Sequence, residues 1–175
     1  MDDMLRAVKE RLNAEVQTGE IKPTHVVPAV SGSGLSPMQW GFPRYDGKGI
    51  IINARSETAA VKPMFAAPFA QHRCLLPASY YFEWRQEDNK KIKYRLFSPA
   101  LPILYLAGIA RAGNEGELPR FVILTRPAAA GITFVHDRMP LIVPREAQDA
   151  WLHGSINEAA SVMDAAIERI DAVPA

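Results

Sequence analysis

The chain has one cysteine, Cys74, so no internal disulfide can brace it and no paired Cys-x-x-Cys zinc ligands are present. It also has no Walker loop, no Gly-x-Gly-x-x-Gly turn and no His-Glu-x-x-His helix, which removes the readable signatures of phosphate cradles, dinucleotide pockets and zinc proteases. No apolar run approaches the roughly 20 residues of a membrane span; the longest, LPILYLAGIA, is short and begins beside prolines. The opening MDDMLRAVKE is acidic and amphipathic, unlike a secretory leader. Neither charge sign dominates, with 20 Lys+Arg against 19 Asp+Glu, so only a local patch could serve nucleic-acid binding. These absences predict a soluble cytoplasmic domain over residues 1–175, without metal, cofactor or membrane partner.

What is present reads as strands bracketed by helices. Met4, Leu5, Val8, Leu12 and Val16 recur at helical spacing and predict an amphipathic helix from residue 2 to about 17, ended by Gly19. Val26-Val27 and Met38-Gln39-Trp40 are strand pieces among prolines and glycines, with IKPTH and SGSG as loops. Ile50-Ile51-Ile52 predicts a strand buried on both faces. Residues 59–72 suggest a short helix broken by prolines. HRCLLPASYYFEW, KIKYRLFS, ILYLAGIA and RFVILTRP are further extended segments. Helical signal returns in PREAQDAWLHG and INEAASVMDAAIERI. This order, without regular βαβ alternation, predicts an α+β fold with a curved, partly barrel-like mixed sheet and helices at its edge.

Three polar positions interrupt apolar surroundings. FVHDRMPLIV sets His136, Asp137 and Arg138 between two apolar runs, and His136 can be exposed at a strand terminus, where sites are built. Imidazole is the side chain that exchanges protons near neutral pH. Asn53 and Arg55 follow the isoleucines, and strand alternation points them to one face as an amide and guanidinium cradle. Their bland reading is a turn cap and a surface pair of Arg55 with Glu57. Glu83 lies in YYFEWR among Tyr80, Tyr81, Phe82 and Trp84, a setting that can make a carboxyl a usable acid or base. The bland reading there is an exposed strand residue beside Arg85. Trp40 and Trp84 are core residues or, beside arginines, stacking surfaces for single-stranded nucleic acid.

MQWGFP, IINARSETA, MF, HRCLLPASYYFEW, ILT and VHDRMPLIV, in that order over roughly residues 38 to 152, resemble the SOS response-associated peptidase (SRAP) domain family. The resemblance implies a sensor of abasic sites in single-stranded DNA that removes its own initiator methionine. It captures the site as a covalent DNA-protein crosslink, an N-terminal cysteine closing a thiazolidine ring on the sugar aldehyde. Carried over by motif, Asn53 holds the cysteine end and the sugar, Glu83 shuttles a proton, and His136 binds or protonates the opened sugar. Arg55, Trp40 and Trp84 contact phosphate and flanking bases. A monomer, nucleoid-associated when bound, is the implied state.

The sequence departs from the family at its start. Relatives begin Met-Cys-Gly-Arg, whereas this chain begins Met1-Asp2-Asp3-Met4. Cys74, inside a predicted strand and without a free α-amine, cannot replace that cysteine. DDMLRAVKERLN resembles the helix that follows the family's first strand, so loss of a preceding segment is the expected explanation and natural loss of crosslinking the alternative. Ser79-Tyr80 replaces a commoner glycine and aromatic, which would narrow the approach to Glu83. Three function classes follow: a crosslinker whose catalytic terminus is absent, a non-covalent single-stranded DNA-binding module, and, weakest, an unrelated hydrolase using Glu83 and His136 without DNA.

Overall fold

In the computed structural model, residues 16, 17 and 19–175 are described. The helix expected over residues 2 to 17 lies outside the described residues except at its end, which is not helical. There Val16 is buried and the Gln17 N–H donates to the Val26 carbonyl at 2.8 Å. Among the described residues no helix is long and apolar enough to cross a membrane.

Strands β1 (Val26–Ser31) and β2 (Gly34–Trp40) form a hairpin whose register, Ser31 opposite Gly34 through Val26 opposite Gln39, leaves Gly32 and Ser33 as the turn. Gly34 has φ +105°, a conformation that favours glycine. Pro28 and Pro37 face each other across it, which restricts where further strands can join, because neither offers an N–H to a neighbour. Among the described residues, outside strands accordingly pair only near the strand ends: β6 (Arg73–Ala78) at Val30 and Ser31, and β10 (Arg120–Pro127), running parallel, at Gln39 and Trp40. Strand β9 (Leu104–Arg111) is antiparallel to both β6 and β10, so the five strands close into a hydrogen-bonded ring. β5 (Asn53–Arg55), parallel, and β11 (Arg138–Pro140), antiparallel, add to β10 and complete a mixed seven-stranded sheet.

Alternation divides the core into two. Ala29, Met38, Cys74, Leu76, Leu106, Phe121 and Ile123 belong to one cluster; Leu75, Ala107, Ile109, Val122 and Leu124 belong to the other, under the helices. Four helices flank the sheet among the described residues: α1 (Ser56–Ala59), α2 (Ala66–Gln71), α3 (Gln148–His153) and α4 (Ile156–Asp164). Arg73 fastens two of them. Buried at the start of β6, it donates to the Phe69 (2.8 Å) and Ala70 (3.2 Å) carbonyls of α2 and to the Trp151 and Gly154 carbonyls at the end of α3. A cation is favoured at such helix C-termini. A separate three-stranded sheet is formed by β7 (Tyr81–Glu87), β8 (Lys90–Phe97) and β12 (Asp171–Pro174), in the order β12-β8-β7.

The expected curved mixed sheet with helices at its edge is therefore present, and several element boundaries are corrected. The isoleucine run is not a strand buried on both faces. Ile50–Ile51 is a half-buried strand, β4, paired with β3 (Phe42–Pro43), and Ile52 breaks it from β5. The Ile52 carbonyl instead accepts from the Trp40 indole (2.9 Å) and the Ile123 N–H (3.1 Å). The 59–72 segment holds one short helix, Ala66–Gln71, reached by a turn from the separate helix Ser56–Ala59. Helix α4, opened by a Ser155/Glu158 capping box, stops at Asp164 instead of reaching Ile170. Tertiary contact overrides its helical pattern: the Ile167 N–H bonds to Ile142, Ile170 is buried, and the chain then pairs with β8 as β12.

Gly108 on β9 marks how tightly the ring is closed. A Cβ there would lie 2.6 Å from Leu76 Cδ2, 2.8 Å from Cys74 Sγ and 3.2 Å from the Val122 carbonyl. Gly108→Val should therefore destabilise the domain by about 3 kcal/mol. Chemical denaturation checks this; an unchanged midpoint would mean the ring has slack.

Candidate functional site

Strand β10 sends Val122 and Leu124 toward the helices and Phe121, Ile123 and Thr125 to the opposite face. β5 copies that alternation. Ala54, opposite Leu124, is buried, whereas Asn53 opposite Ile123 and Arg55 opposite Thr125 are exposed. The two polar side chains thus share the face away from the helices, as their spacing predicts. Neither makes a side-chain hydrogen bond or ion pair among the described residues, and Glu57 does not pair with Arg55. Trp40, at the end of β2 opposite Phe121, is half-buried on the same side. Its ring stacks on Phe121 (6.3 Å, 6°), and its indole N–H is committed to the Ile52 carbonyl just before Asn53.

His136 reaches this region from the other edge of β10. The expected apolar strand before it does not form: Ala130–Ile132 is a turn of 3₁₀ helix, Phe134 is exposed, and the strand begins only at Arg138. His136 Nδ1 accepts the Arg138 backbone N–H at 3.0 Å, so the neutral ring carries its proton on Nε2. Asp137 Oδ1 lies 3.2 Å from Nδ1 and attracts the ring only when Nδ1 is protonated. Arg138 fixes the strand start through Glu57 and Thr125. Its guanidinium makes a bidentate pair with Glu57 (2.5 and 2.8 Å) and donates to the Thr125 carbonyl at 2.6 Å. Nothing in the sequence signalled that pairing across 81 positions.

Glu83 stands on β7 directly opposite Tyr94. Tyr94 meets Phe134 edge-on (5.7 Å, 84°) and the Arg85 guanidinium lies 5.8 Å from the same ring, so the Glu83 face of β7 packs toward the segment that carries His136. Among the described residues, Glu83 accepts only the Trp84 backbone N–H, at 3.1 Å. On the same face, the Tyr81 hydroxyl is buried without a hydrogen-bond partner among the described residues, and burial together with the nearby Glu83 charge pushes its phenol pKa up. Trp84 and Phe82 project from the other face of β7, and Tyr80 packs edge-on against Phe82 (5.3 Å).

The structure therefore gathers Trp40, Asn53 and Arg55 on one face beside β10, and joins Glu83 to the His136 segment through Phe134. It links Asn53, Glu83 and His136 by no direct hydrogen bond, and it parts Trp84 from Glu83. Cys74, wholly buried inside the ring, has its thiol pushed up to about 12 by burial, which leaves it inert at neutral pH.

The Arg138 hydrogen bonds hold the Glu57 carboxyl down at about 2, against 4.5 for the free group. Since the folded value is the lower one, this pair's stabilisation is complete above pH 4.5 and is lost as pH falls through about 2. Glu57→Gln should lower stability at neutral pH by about 1 kcal/mol, the carboxylate being partly exposed, and should flatten the acid limb of a stability-pH curve. Thermal unfolding across that range checks it; parallel curves for the two proteins would contradict the pairing.

Residues 2–174 match the sequence model of the family described as SOS response associated peptidase (SRAP). The chain is 34% identical over 128 residues to the abasic site processing protein YedK of Escherichia coli, covering 70% of this chain and 57% of YedK. It is 34% identical over 132 residues to the abasic site processing protein YobE of Bacillus subtilis, covering 70% of this chain and 60% of YobE. The chain thus spans less than two thirds of the length of these relatives. A crystal structure of a Bacteroides thetaiotaomicron protein superposes with a TM-score of 0.75 at 29% identity, covering 86% of this chain and 74% of that one. With the family pattern matched along nearly its whole length and the fold shared, the chain belongs to the SRAP family.

Proposed function

We propose that this chain forms the body of an abasic-site processing protein: it binds single-stranded DNA across the face that carries Trp40, Asn53 and Arg55, with Glu83 and His136 on its far side. The observation that carries this reading is the freedom of its polar groups. Among the described residues, Asn53 and Arg55 are exposed and uncommitted, Glu83 holds only a neighbouring N–H, and His136 presents Nε2. Groups that served the fold alone would be spent on it, as Arg138 and Arg73 are.

The chemistry suited to these groups is capture of the sugar aldehyde by an N-terminal cysteine supplied ahead of the present start. The free amine adds to the aldehyde carbon, water leaves, and the thiol adds to the resulting imine to close a thiazolidine. Asn53 holds the cysteine end and the sugar. Glu83 takes the proton from the attacking amine and returns it to the departing oxygen; His136, donating from Nε2, stabilises the ring-opened sugar oxygen. Arg55 supplies phosphate contact, and the exposed part of the Trp40 ring contacts a flanking base. The chain by itself, with its one thiol buried, is a non-covalent binder on the same face.

The test pairs this chain with a version extended to a mature N-terminal cysteine, each mixed with single-stranded DNA holding one abasic site. Both should shift the DNA on a native gel, and only the extended protein should give a band that survives denaturation. No covalent band from either would refute the crosslinking assignment. In the extended protein, Glu83→Gln should slow band formation about 100-fold while native binding stays intact. Arg55→Ala should weaken binding to all sequences alike and lower its salt dependence; unchanged binding would remove Arg55 from the interface.

A further inference from the structure

The face of the three-stranded sheet turned away from Glu83 carries a lattice of aromatic rings and cations that the proposed chemistry does not use. Trp84 is paired across the strands with Lys93, and Phe82 with Arg95. The Lys93 ammonium sits 3.7 Å from the Phe82 ring centroid and 5.7 Å from that of Trp84. Arg95 lies between Tyr80 (5.8 Å) and Phe97 (5.6 Å) and, though exposed, has no ion pair among the described residues. Trp84 and Tyr80 are 44% and 38% exposed, so stackable ring surface remains open. Among the described residues, Glu20, paired with Lys93 at 2.9 Å, and exposed Asp171, opposite Phe97, border this face.

We propose that this face is a second docking surface for single-stranded nucleic acid, carrying the strand onward after it leaves the abasic-site face. It rests on the reading above and sets how much flanking DNA the protein engages. Two features select this occupant. Exposed rings alternating with cations match the base-then-phosphate repeat of a single strand, since every base offers a π-face and every linkage a charge. The position is also continuous with the site: β7 is the outer strand of its sheet and carries Glu83 on one face and Trp84 on the other. A strand crossing that edge passes directly from one face to the other. Lys93 then exchanges Glu20 for a phosphate, while Arg95 takes a phosphate without giving up an ion pair among the described residues.

The experiment measures fluorescence anisotropy of labelled abasic oligonucleotides, one of about 5 nucleotides confined to the site and one of about 15 that reaches the second face. Wild-type protein should bind the longer one more tightly. The charge-reversed pair Lys93→Glu and Arg95→Glu should abolish that advantage, an affinity loss of about tenfold on the long oligonucleotide, and leave the short one unchanged. Arg95→Gln alone, which breaks no ion pair among the described residues, should lower the salt slope for the long oligonucleotide by about 0.7. Equal affinity of wild type for both lengths, or an unaltered length advantage in both variants, overturns the proposal and leaves the face to another partner such as an acidic protein. Failure of wild type to bind either oligonucleotide would instead overturn the abasic-site reading itself, so the two failures are separable.

Discussion

Everything in this domain hangs on the pairing of β10. It hydrogen-bonds with β2 and β5 along one edge and with β9 and β11 along the other, and it closes the five-strand ring. Its alternating side chains feed both cores, Phe121 and Ile123 on one side and Val122 and Leu124 on the other. A one-residue slip would exchange those two sets and also turn Asn53 and Arg55 into the helix-covered core. Register in this strand is therefore the same constraint as presentation of the polar groups. Gly108 guards it from inside, where the ring leaves no room for a side chain.

The charged groups divide by whether the fold consumes them. Arg73 is spent on helix carbonyls and Arg138 on Glu57 and Thr125, and these fasten elements far apart in the chain. Arg138 matters twice, because its backbone N–H also sets the His136 tautomer. Arg55 and Arg95 are left without ion pairs among the described residues, each beside a face able to receive an anion. On the proposed reading, a near-neutral chain binds a polyanion through such local groups, without the global field that its composition lacks.

Much of this was legible in the sequence because it depends on local alternation. The exposed-buried-exposed order of Asn53, Ala54 and Arg55 follows from a period of two, and the apolar strands β9 and β10 are unmistakable runs. What stayed hidden depends on contacts between distant segments. The isoleucine run looked like a single buried strand, but the Ile52 carbonyl is claimed by Trp40 and Ile123. The helical pattern up to Ile170 gave no sign of β12, since only the exposed edge of β8 makes Asp171–Pro174 a strand. Trp84 and Glu83 are adjacent in the motif and were grouped in one site, yet the pleat that made Asn53 and Arg55 neighbours sets these two on opposite faces.

Backbone hydrogen exchange, followed with and without a single-stranded oligonucleotide bearing an abasic site, tests the assignment of the site to the face beside β10. The account predicts added protection in residues 53–58 and 134–138 and at the edge strand 81–87, with none in the helices at 148–164. Protection confined to those helices, leaving the other three segments unchanged, would contradict it.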